Sequence, residues 1–133
     1  MEKVKLAVIY YSATGINYQL AKMAEEGGIE AGAEVRVLKV PELIPEEVIN
    51  NNPGMKANAE ATKDVPVATG DDLVWADAII FSVPTRFGNL ASQMKNFIDM
   101  QGGLWAEGKL MNKVVSAMSS AQNPHGGQEA TVK

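Results

Sequence analysis

Apolar residues along this chain alternate between solid runs of strand length and positions spaced three and four apart. Leu6 to Tyr10 is an unbroken apolar run, the mark of a strand buried on both faces, and predicts a first strand over Val4 to Tyr10. Ile16, Leu20, Met23, Gly27 and Ala31 then share one face of a helix from Gly15 to about Ala31, with Gly32 placed to stop it. Gly27-Gly28 inside that helix costs about 1 kcal/mol per residue relative to alanine. A close helix–sheet contact is the usual reason to keep such glycines.

Glu34 to Val40 alternates in polarity, Arg36 and Lys39 mark it as an edge strand, and Pro41 ends it. From Glu42 to Gly70 the pattern dissolves. Pro45, Pro53 and Pro66 interrupt it, Asn50-Asn51-Asn52 is polar, and only two short, weakly helical pieces remain. This reads as a long, partly ordered excursion that is too polar to form a core. Asp71 to Ala76 predicts a short helix with Trp75 in the core. The next run, Asp77 to Val83, holds Ala78-Ile79-Ile80-Phe81 without alternation and predicts a third strand buried on both faces. Leu90, Met94, Phe97 and Ile98 make one face of a helix closed by Gly102-Gly103. Lys113 to Ser119 is a fourth strand, and Gln128 starts a further helix near the last residue, Lys133. Met94, Met100 and Met118 read as packing residues.

Strands alternating with helices predict an α/β fold with a doubly wound parallel sheet. Right-handed crossovers leave strand order 2-1-3-4 as the flavodoxin-like choice. In such sheets ligands bind beyond the carboxyl ends of the strands, where the order reverses.

Composition narrows the chemistry. The 133 residues suit one compact domain, and 46% hydrophobic against 21% charged residues is the balance of a soluble globular protein. The chain has no cysteine, which excludes disulfides, thiolate metal sites and a cysteine nucleophile. His125 is the single histidine, so metal clusters and Ser-His-Asp chemistry have little to build on; it reads as an exposed loop residue. A formal net charge of −4 leaves no basic footprint for nucleic acid. Nothing resembles a signal peptide or a spanning helix, so a cytoplasmic protein without membrane insertion is expected.

Three loops fall at the carboxyl edge of the predicted sheet. The first is Ser12, Ala13, Thr14, Gly15, Ile16 and Asn17, between the first strand and the first helix. Unpaired N–H groups at that helix start, with Ser12, Thr14 and Asn17 as side-chain donors, suit a phosphate held by neutral groups alone. The segment lacks both the Gly-Lys-Ser/Thr of a Walker loop and the spaced glycines of a dinucleotide fingerprint. Taken alone, it also fits an ordinary strand-to-helix turn with hydroxyl caps.

The second loop is Pro84, Thr85, Arg86, Phe87, Gly88 and Asn89, where backbone donors would read a planar ligand edge. Arg86 would stack on a ring or offset charge developing on it; as an isolated arginine it fits a solvated surface equally. The third is Ser119 to Gly127, with Ser120, Ala121, Gln122, Asn123 and Gly126 as candidate contacts. Trp105, beside Gly102-Gly103, suits a flat aromatic pocket or burial against a partner subunit.

Ser-Ala-Thr-Gly-Ile-Asn, Pro-Thr-Arg-Phe-Gly-Asn, Gly-Gly-Leu-Trp and Gly-Gly-Gln-Glu occur in this order. The series resembles the WrbA family of flavodoxin-like NAD(P)H:quinone oxidoreductases, essentially along the whole chain. Each motif alone is weak and the four together are specific. The resemblance implies a single FMN-binding domain over residues 1–133 in which Ser12 to Asn17 hold the FMN phosphate. Pro84 to Asn89 would border the isoalloxazine, and Ser120 to Gly126 would contact the ring and ribityl from the other side. Trp105 matches a tryptophan that lines the substrate pocket. Thr14 stands where some members carry a tyrosine touching the nicotinamide nucleotide, so it is assigned to substrate as well as phosphate. Family enzymes are typically homotetramers with FMN near the interfaces. Relative to them the fifth strand, the last helix and a histidine near the flavin are expected to be absent from residues 1–133, leaving the last strand's apolar face open.

The implied reaction is two-electron, ping-pong reduction of a quinone by NADH or NADPH through one pocket, with no protein nucleophile and no metal. A flavodoxin-type carrier passing single electrons, or a non-enzymatic interaction protein, are the alternatives. A phosphoacceptor signalling domain is excluded, because Ser82 and Val83 stand where an aspartate is needed.

Overall fold

The computed structural model describes residues 2–133. Strand β1 (Lys5–Tyr10) lies between β2 (Glu34–Lys39) and β3 (Ala78–Arg86), and β5 (Val114–Ser120) pairs with the far side of β3. These four strands are parallel, in the order β2-β1-β3-β5. The register runs Val8 opposite Val37 and Ile80, and Ile80 opposite Ser116. The expected order of parallel strands holds.

The strand count differs from expectation. A two-residue strand β4 (Asn89–Leu90) folds back antiparallel on Thr85 and Arg86, so the described residues form five strands. The cause is local. Phe87 (φ 52°) and Gly88 (φ 80°) both take positive φ, the turn geometry whose twist matches a tight hairpin. Pro84 to Asn89 is therefore the extended end of β3 plus a hairpin. Helix α5 begins at Ser92 instead of Leu90 and runs to Asp99.

Alternation on β1 divides the core. Ala7, Ile9 and Tyr11 join Leu38, Ile79, Val83, Met94 and Phe97 on one face, under α4 (Gly70–Trp75) and α5. Leu6, Val8 and Tyr10 join Ala21 on the other, under α1 (Ile16–Glu30). Gly28 explains how closely α1 sits: a Cβ there would lie 2.9 Å from both Leu6 Cδ2 and Val35 Cγ2. Gly27 has nothing within 4 Å, so the close-contact reading applies to Gly28 only.

The excursion holds α2 (Glu46–Asn50) and α3 (Pro53–Ala61), capped by the Asn52 side chain accepting from the Met55 N–H at 3.1 Å. Its return pairs Pro66 to Ala68 with Lys39, which covers the end of edge strand β2.

Four expectations need correction. Trp75 is half-buried and carries the Arg36 guanidinium 3.8 Å above its ring, while Arg36 also pairs with Asp72 at 3.2 Å. Gly102-Gly103 opens a further helix, α6 (Gly102–Ala106), and α5 has already ended at Asp99. Met100 is 71% exposed beside that junction. The third strand is less buried than an unbroken apolar run predicts, with Ile80 and Phe81 only half-buried. Its neighbour β5 explains this, since Val114 and Val115 are themselves exposed. A last helix, α7 (Gln128–Thr131), follows the third loop. Among the described residues no helix is long and apolar enough to cross a membrane.

Candidate functional site

The carboxyl ends of β1, β3 and β5 open on one cleft of about 810 Å³, lined by residues from 12–17, 84–87 and 120–126. Its volume lies in the range of small-molecule and cofactor sites. All three loops singled out from the sequence meet there.

The first wall is the loop from β1 to α1. Ser12 Oγ accepts the Gly15 N–H at 2.9 Å, which closes the turn. Gly15 is the N-cap of α1 and carries no side chain, so no side-chain cap satisfies the helix's first N–H groups. The first turn of α1 also has no acidic residue. This end of α1 is a set of fixed donors and partial positive charge, with Ser12 and Thr14 hydroxyls beside it.

Asn17 makes anchoring bonds that the sequence did not suggest. It is 2% exposed; its Nδ2 donates to Ser120 Oγ at 2.8 Å, and its Oδ1 accepts from Ser82 Oγ at 3.0 Å. Its side chain thus ties α1 to β3 and β5, and Asn17 is also among the residues that line the cleft. Ser82, used above only to exclude an aspartate, is its partner; a lone serine in the apolar run Ile79–Val83 was the available signal.

The second wall is the hairpin. Phe87 is fully exposed at its tip, and the exposed Arg86 forms no salt bridge among the described residues, donating only to the Thr85 carbonyl at 3.3 Å. Gly88 stands behind the cleft. A Cβ on Gly127 would lie 2.7 Å from Gly88 Cα, so the start of α7 rests directly on the hairpin. Thr131 fastens the contact by donating from Oγ1 to Thr85 Oγ1 at 2.8 Å. Sequence reasoning missed Thr131. Asn89 also lies outside the cleft, its Oδ1 accepting from the Leu90 N–H at 2.9 Å.

The third wall is Ser120 to Gly126, anchored to α1 through Ser120 and Asn17. His125 is exposed, with Nδ1 3.5 Å from Glu129, in keeping with a loop role. Trp105 does not join the cleft within this chain. It is 78% exposed on α6 and lines a separate apolar groove of about 410 Å³ with Phe97, Ile98, Leu110 and Val115.

Behind the first loop lies a polar clamp. The Tyr11 hydroxyl donates to Glu42 Oε2 at 2.8 Å, while Gln93 Nε2 donates to Glu42 Oε1 at 2.7 Å and to the Tyr11 oxygen at 3.1 Å. Burial pushes the Tyr11 phenol well above its ordinary value, the Glu42 contact raises it further, and the charge of Arg86 opposes both. Tyr10, on the opposite face, is pushed up to about 12, chiefly by burial.

These donors fit the phosphate of a flavin nucleotide: fixed N–H groups and hydroxyls at an uncapped helix start, then a hairpin and a polar loop for a ring and its chain. A NAD(P)H dehydrogenase (quinone) from Deinococcus radiodurans is 59% identical over 98% of this chain, which spans 65% of that relative. One from Brucella abortus is 51% identical over 95% of the chain, which spans 61% of it. The chain thus covers a little under two thirds of both relatives' lengths. The fold matches a crystal structure described as a flavodoxin, WrbA-like protein from Agrobacterium tumefaciens. There the TM-score is 0.66 at 24% identity, over 98% of this chain and 68% of the other. The profile of the NADPH-dependent FMN reductases matches residues 4–133, and the chain belongs to that family.

Proposed function

We propose that this protein binds FMN in the three-walled cleft and reduces quinones with NADH or NADPH. The observation that carries the reading is the convergence of residues 12–17, 84–87 and 120–126 on one cleft at the uncapped start of α1. Relatives named NAD(P)H dehydrogenase (quinone), at 59% and 51% identity over nearly the whole chain, support the same reading. When bound, FMN supplies hydride acceptance and two-electron transfer.

The protein's part is to bind and orient. Ser12, Thr14 and the first N–H groups of α1 hold the phosphate. Ala13, Gly15 and Ile16 contribute backbone to that cradle, and Asn17 fixes its position against the sheet. Pro84, Thr85, Arg86 and Phe87 border the ring, with Gly88 and Asn89 setting the hairpin that presents them. Positive charge at Arg86 favours electron density arriving on the adjacent ring edge. Ser120, Ala121, Gln122, Asn123 and Gly126 flank the ring and ribityl from the third wall.

One open pocket serves both substrates in turn, which makes the kinetics ping-pong. Trp105, exposed on α6, acts on substrate through a homotetramer in which it meets a neighbouring subunit's cleft. The test is steady-state reduction of benzoquinone by NADH after FMN loading. Parallel double-reciprocal plots are expected; intersecting plots, or no turnover by protein that holds FMN, would overturn the reading.

A further inference from the structure

The excursion after β2 does more than cover an edge. Its helix α3 leans on the phosphate loop at two places. Asn58 Nδ2 donates to the Ser12 carbonyl at 2.9 Å. A Cβ added at Gly54 would lie 3.8 Å from Thr14 Cγ2, so the first turn of α3 passes close to Thr14.

The bond to Ser12 has a direct geometric result. The peptide between Ser12 and Ala13 is trans, as all peptides in the described chain are, so its carbonyl and its N–H point in opposite directions. With the carbonyl held on Asn58, the Ala13 N–H is directed away from that side chain, and Ala13 is among the residues that line the cleft. Without that anchor the peptide is free to turn its oxygen toward the cleft, where it would repel an anion. Asn58 is half-buried and set on a helix with its own Asn52 cap, so the anchor is fixed independently of any ligand.

We propose that Asn58 is a positioning residue for anion recognition: by holding the Ser12 carbonyl it keeps the loop's N–H groups turned to the phosphate of the flavin nucleotide. This rests on the FMN reading above. It assigns a role in cofactor selectivity to a segment that sequence reasoning treated as a partly ordered excursion.

The test compares FMN with riboflavin, which lacks the phosphate, by fluorescence titration of the wild type, Asn58→Leu and Asn58→Asp. Asn58→Leu is expected to weaken FMN binding about tenfold, the worth of one well-placed donor to a charged group, and to leave riboflavin within about twofold. Asn58→Asp, which sets an acceptor against the carbonyl, is expected to lose more. Equal losses for both ligands would make Asn58 merely structural, and unchanged FMN affinity would remove its role; either result overturns the proposal while leaving the FMN site standing. A wild type that binds neither ligand overturns the functional reading and this inference with it. Should Asn58→Leu fail to fold, Asn58→Ser is read against the same outcomes.

Discussion

Within residues 2–133 the two sides of the sheet differ in how far they are covered. On the β1 side every residue from Leu6 to Tyr10 is at most 8% exposed, both faces are covered, and hydrogen bonds run through Asn17, Asn58 and the Glu42 clamp. On the β5 side Val114 is 72% and Val115 57% exposed, beside an apolar groove that Trp105 borders. The cleft straddles the boundary. Its first wall, at the start of α1, belongs to the closed half and its third wall to the open one.

Matched truncations break this comparison most forcefully. Ile9→Ala is expected to cost about 3 kcal/mol, since it empties a fully packed site. Val115→Ala is expected to stay within about 0.5 kcal/mol. Urea unfolding of the pair measures the contrast, and equal costs would show that β5 is as well packed as β1.

Alkaline pH probes the closed half next. Tyr10 keeps its proton in the folded state up to about 12, whereas unfolded tyrosine releases it near 10. Its contribution is therefore fully present below pH 10 and is lost as pH rises from 10 to about 12. The full loss amounts to a few kcal/mol. Tyr10→Phe is expected to flatten that part of the fall. At pH 7 its effect on stability should be small.

Asn17→Leu strips partners from Ser82 and Ser120 at the boundary between the halves and should cost about 2 kcal/mol in the same unfolding assay. Gly127→Ala should cost about 1 to 2 kcal/mol, since its Cβ meets Gly88 at 2.7 Å, and should weaken riboflavin and FMN equally. Arg86→Gln ends the series, with stability changed by less than about 0.5 kcal/mol and a slower reduction of bound flavin by NADH in stopped flow.

Legibility in the sequence follows the same division. The unbroken run Leu6–Tyr10, the spacing of α1 and the polar loops sufficed to place the sheet order and the cleft edge, because buried parallel strands and switch-point loops leave strong local patterns. The hairpin did not show, since its turn begins at Phe87, a residue whose type gives no hint of positive φ. The anchoring bonds of Asn17 did not show, because an asparagine at a helix start usually caps it. Only the third dimension reveals Ser82 and Ser120 beneath it. Asn58 and Thr131 were invisible for a simpler reason: each is one polar residue among many, and its partner lies 46 positions away.

The central claim is that the cleft recognises FMN through its phosphate at the start of α1. Its most direct test is the ratio of riboflavin to FMN dissociation constants for the unaltered protein. Two or more charge-assisted hydrogen bonds to the phosphate make FMN bind at least about 100-fold more tightly. Equal affinity for the two flavins, or binding of neither, would contradict it.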